Sequence, residues 1–110
     1  MTGRTQRFEQ GERIEVEKGS MLSLQVAGQS LTWGRCRPGW RWSHHVGPML
    51  ELERCPVHHR LILLEGRLGV LHADGTTRTL ASGDVEEVLP GHDAWVEGDE
   101  DVVFLDAPVQ

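Results

Sequence analysis

An all-β barrel or double sheet is the fold class this sequence predicts, and three observations carry the prediction. Short runs of alternating or branched apolar residues recur, parted by turn residues roughly every 8 to 12 positions. No long window shows the i, i+3, i+4, i+7 apolar pattern of an amphipathic helix. Apolar residues make up 38% of the 110-residue chain and there are 13 Gly, a composition that packs one small core instead of remaining disordered. One domain is expected over residues 1–110, with a polar N-terminal arm over 1–12 and the barrel over 13–107.

The strands are expected in this order. Residues 13–17 (R-I-E-V-E) alternate, and Lys18-Gly19-Ser20 turns the chain into 21–26. Ala27-Gly28-Gln29 turns it again into 30–37, which Pro38-Gly39 breaks. Residues 38–56 hold two Pro-Gly or Gly-Pro breaks and are expected to form a long loop, with a short strand at 49–54. Residues 57–64 are rich in branched apolar residues and give the clearest strand. Glu65-Gly66 leads to 67–72, and the Ala73-Asp74-Gly75 turn returns the chain through 76–81, its Asp-Gly supplying the positive φ a tight hairpin needs. Strands at 85–89, 94–97 and 102–106 complete about ten. Closing them into a barrel or double sheet protects edges that would otherwise pair with other chains.

Composition excludes several functions. A net charge of −6 argues against a nucleic-acid or anionic-membrane surface, which needs clustered Lys and Arg. The longest unbroken apolar runs, 61–64 and 102–105, are far too short to span a bilayer. The polar start (residues 1–10) lacks the apolar centre of a signal peptide, so a cytoplasmic location is expected. Two cysteines, Cys36 and Cys55, are too few for a disulfide framework and are expected to be reduced.

The chemistry lies in the histidines. There are six, four of them in the adjacent pairs His44-His45 and His58-His59, with His92 after a Pro-Gly turn and His72 at a strand end. Neutral imidazoles converging from separate strands make a site for a divalent ion such as Zn, Fe, Ni or Mn. Neighbours on a strand face opposite ways, so one member of each pair points inward. His59 shares its face with Val57, Leu61 and Leu63, whereas His58 shares its face with Arg60. His59 is therefore the inward member, and His72, beside an Asp-Gly turn, is expected at the surface.

Here the chain resembles the cupin superfamily. Its first motif opens with Gly, five residues and His, matched by Gly39 and His45, and closes with six residues and Gly, matched by His59 and Gly66 with His in the place of the usual Glu. Gly83 and Gly91 match the two glycines of the second motif, with His92 two residues before the usual ligand position, which here is Ala94. The phrases at 39–46 (G-W-R-W-S-H-H-V) and 89–96 (L-P-G-H-D-A-W-V) are similar to a subgroup of short bacterial cupins. The resemblance implies a cupin-type double-stranded β-helix, or jelly-roll barrel, with one divalent metal ion. It departs where the second His of His-x-His would fall on Gly47. Two ligand registers then fit. In one, His45, His59 and His92 bind the metal, with His44 and His58 as alternates to their neighbours. In the other, Glu53 or Cys55, in phase with His59, replaces His45. Trp40, Arg41, Trp42 and Trp95 flank the motifs and are candidates for a substrate pocket, and Asp93 is a candidate to orient His92. The resemblance further implies a homodimer joined through residues 13–26, and either a metal-dependent enzyme on a small organic molecule (oxygenase, such as a dioxygenase, isomerase or cyclase type) or a non-catalytic module that binds a metal or small molecule.

Overall fold

The computed structural model describes residues 2–110. It contains nine strands: β1 (Glu12–Val16), β2 (Gly19–Val26), β3 (Gln29–Cys36), β4 (His59–Glu65), β5 (Leu68–Leu71), β6 (Thr77–Leu80), β7 (Val85–Val88), β8 (Asp93–Val96) and β9 (Val102–Asp106). They form two antiparallel sheets, one of six strands in the order β1-β2-β3-β9-β4-β7 and one of three in the order β6-β5-β8. The three-residue turn of helix at Phe8–Gln10 packs against β2. The short strand expected at 49–54 is instead a helical turn. Two four-residue helices, α1 (Trp42–His45) and α2 (Gly47–Leu50), occupy the long connection. Pro48 favours the start of α2, and Glu51 in the left-handed region (φ 57°) ends it.

The period of two sorts side chains by face. On the large sheet, Leu61 pairs with Asp106, Leu63 with Phe104 and Cys36 with Val102, and this face turns toward the small sheet. From the small sheet Leu68, Val70, Leu80, Ala94 and Val96 meet it. Leu63, Val70, Val88, Val102 and Cys36 are fully buried, so the core lies between the sheets. Phe104 lies over Gly34, where a Cβ would strike its ring, so this strand position has to lack a side chain.

Candidate metal centre

The inward faces of three segments meet at one end of the core. His59 begins β4. His92 immediately precedes β8. Cys55 lies in the connection after α2 and pairs with His92 as an isolated bridge, its N–H donating to the His92 carbonyl at 2.9 Å while the Gly91 N–H donates to the Cys55 carbonyl at 2.8 Å. The loop cysteine is therefore fixed against the small sheet as a strand residue would be. The ligand atoms of Cys55, His59 and His92 lie within 4.8 Å of one another. Cys55 and His92 are buried and His59 is half-buried. The two imidazole rings meet edge to face, with centroids 4.9 Å apart.

The hydrogen bonds orient the donors. His59 Nδ1 donates to Asp106 Oδ2 at 2.6 Å, which turns its Nε2 toward Cys55 Sγ at 3.6 Å. His92 Nδ1 donates to the Leu89 carbonyl at 2.8 Å, leaving its Nε2 for the site. Burial alone would push the Cys55 thiol up, but hydrogen bonds from His59 and His92 outweigh it and bring the thiol down to about 6. Burial would likewise depress His59, yet the bonds to Asp106 and Cys55 raise it to about 9. The metal-free arrangement is thus a thiolate beside an imidazolium.

These residues fit a metal ion. A tetrahedral ion with bonds of about 2.3 Å to sulfur and about 2.0 Å to nitrogen holds its donors about 3.3–3.6 Å apart. The Cys55–His59 separation of 3.6 Å already lies there, and the other separations are no more than 4.8 Å. Asp106 behind His59 is the carboxylate that commonly fixes a ligating imidazole. Its other oxygen, Oδ1, is buried without a hydrogen-bond partner.

The remaining sequence candidates fall elsewhere. His45 belongs to α1, where its Nδ1 faces the Arg41 backbone (3.0 Å to N) and its Nε2 faces Glu17 at 3.8 Å. A helical turn, in place of the expected loop, carries it away from His59 and His92. His44 and Glu53 are exposed, and His58 pairs with Glu87 at 2.7 Å on the outer side of β4. Asp93 does not orient His92. It accepts hydrogen bonds from Ser43 N at 3.0 Å and Ser43 Oγ at 2.7 Å, pairs with Arg41 at 3.2 Å, and so ties α1 to β8. Burial pushes the Asp93 carboxyl up, but these bonds hold it below the usual carboxylate range. Trp40 and Trp42 are buried in the core. Arg41 stacks on Trp95, 4.5 Å from the ring centroid, and this contact joins the Asp93 pair in anchoring α1 to β8.

No family model and no curated protein matches the sequence. Solved structures do. A cupin-2 domain protein from Rhodospirillum rubrum aligns over 97% of this chain and 74% of its own at 16% identity and a TM-score of 0.67. A cupin-like protein from Thermotoga maritima aligns over 91% and 77% at 19% identity and a TM-score of 0.63. The polyketide cyclase RemF from Streptomyces resistomycificus aligns over 100% and 81% at 17% identity and a TM-score of 0.66. The chain therefore has the fold of a small cupin-type jelly-roll barrel. Among the described residues no helix is long and apolar enough to cross a membrane.

Proposed function

We propose that this cupin domain holds one divalent metal ion through Cys55, His59 and His92 and acts on a small organic molecule. The observation that carries the reading is a set of three donors, with no fourth among the described residues, on the inward surface of the fold. Structural zinc sites close all four positions, whereas catalytic ones keep one open for water or substrate. One thiolate with two imidazoles suits zinc among the common divalent ions. Such an ion supplies Lewis acidity, which favours isomerase or cyclase chemistry over oxygen activation. The chain's own residues do the rest. Asp106 holds a proton on His59 Nδ1 and Leu89 does the same for His92, so both rings turn Nε2 toward the site, and His59 would give up its Nε2 proton on ligating. We place the protein in the cytoplasm, as a homodimer joined at the β1 edge, where Ile14 is exposed. A monomer by light scattering removes that assembly.

Elemental analysis of protein purified without a histidine tag tests the metal. About one zinc per chain supports the reading. Stoichiometric iron with oxygen uptake moves it to an oxygenase, and no bound metal after zinc titration ends it.

A further inference from the structure

A third imidazole stands on the same inward surface, beside His59 and His92. The sequence places His72 outside, beside the Asp74-Gly75 turn; the structure places it inside, its side chain only 16% exposed. The register explains this. Leu68 pairs with Val96 and Val70 with Ala94 on the inward face of β5 and β8, so one further inward step sets His72 opposite His92. The two segments stay side by side beyond the ladder, since a Cβ on Gly91 would lie 3.3 Å from the Ala73 Cβ. Directly opposed residues on antiparallel strands have Cβ atoms about 5 Å apart.

The partner of His72 comes from the other sheet. Its Nε2 lies 3.3 Å from Glu86 Oε2, and Arg78 Nε holds the same oxygen at 3.4 Å. On β7, Val88 pairs with His59 and Glu86 with Leu61, so Glu86 sits two residues along from the His59 level, about 7 Å away. Two polar rungs therefore cross between the sheets side by side: His92 to His59, and His72 to Glu86. The second rung is outside the group of mutually close donors. It stands one rung away by backbone spacing, about 5–7 Å, apart from the three donors and near enough for its side chain to touch what the ion would hold.

The chemistry of the pair fixes the tautomer. A carboxylate accepts, so His72 Nε2 donates to Glu86, and in that tautomer Nδ1 is the acceptor. We propose that His72, set by Glu86, is a substrate-positioning residue whose Nδ1 accepts a hydrogen bond from an O–H or N–H of the ligand in the open coordination position. The ligand class is a small oxygen chelator with an adjacent hydroxyl or amide proton. The inference rests on the metal reading above. The competing role for the pair is a clip between the sheets.

Cobalt(II)-loaded protein, followed by visible absorption, separates these roles with two probes. Acetohydroxamate chelates and carries the proton; azide binds without one. His72→Leu should weaken acetohydroxamate about tenfold, leave azide within about twofold and leave cobalt content unchanged. His72→Asn, whose Oδ1 stands near the position of Nδ1, should restore most of the acetohydroxamate affinity. Unchanged acetohydroxamate binding in His72→Leu overturns the proposal. Equal weakening of both probes overturns it in favour of the clip, and loss of cobalt makes His72 a ligand instead. A parent protein that binds no cobalt refutes the metal reading itself, and this inference with it.

Discussion

Cys36 and Cys55 are buried to nearly the same depth, 0% and 3% exposed, in two regions built for different ends. Cys36 ends β3 on the inward face opposite Val102, deep in the apolar core. Burial there pushes its thiol up to about 12, and the charge of Asp101 adds to the effect. Cys55 lies against His92 and its sulfur accepts a hydrogen bond from His59 Nε2–H, and its thiol falls to about 6. Depth alone does not set a cysteine's chemistry; what the sulfur meets at that depth does.

The largest test of the contrast is metal content. Replacing Cys55, His59 or His92 with Ala should take tag-free protein from about one metal per chain to nearly none, whereas Cys36→Ser should leave it unchanged. Metal retained in all three Ala variants by elemental analysis breaks the contrast. Alkylation comes next. In metal-free protein at pH 7, Cys55 should react with iodoacetamide at least about a hundredfold faster than Cys36, read by peptide mass spectrometry, because only Cys55 is a thiolate there. Equal rates would show that the two environments do not differ in effect. Stability sharpens the comparison further. Cys36→Ser buries a hydroxyl among apolar groups and should cost about 1–3 kcal/mol by denaturant unfolding. Cys55→Ser in metal-free protein keeps imidazole partners in reach and should cost less.

The smallest effect is the pH dependence of metal-free stability. His59 is raised from 6.5 in the unfolded chain to about 9 in the folded one. Its contribution is therefore full below pH 6.5 and declines as pH rises through about 9, while the lowered Cys55 thiol contributes in the opposite sense, full above about 9 and lost as pH falls through about 6. The two shares oppose each other in the parent protein, so Asp106→Asn, which removes the charged partner of His59, should leave the Cys55 share dominant and make the unfolding midpoint rise with pH over that window. A slope unchanged from the parent protein would mean that Asp106 does not hold the proton on His59.

Period-two alternation made most of the fold legible, because every strand has one buried face. Eight of the strand expectations need only shifts of one or two residues at their ends, and 57–64 becomes His59–Glu65. The same alternation selected His59 over His58 and set Cys55 in phase with it. The connection between β3 and β4 resisted reading. Four-residue helices are shorter than any periodic signal, and the Ser43 and Arg41 contacts that hold α1 reach Asp93 across about fifty residues. His45 was misplaced for that reason. His72 was misread because the Asp-Gly turn after it is a surface signal, whereas its side chain follows the parity of Leu68 and Val70. That parity was the available clue.

The anchor at Asp93 bears on how readily an ion is captured. Two donors ride on sheets, but Cys55 arrives on a long irregular segment, and a floppy segment would have to freeze each time the ion bound. Ser43 and Arg41 pin the near end of that segment, and the Cys55–His92 bridge pins its far end. The sulfur is thus preorganised, and little freedom remains to be lost on capture. Asp93→Ala, although it touches no donor, should weaken zinc affinity and speed amide exchange across residues 41–54. Unaltered affinity would show that the segment holds its shape without that tie.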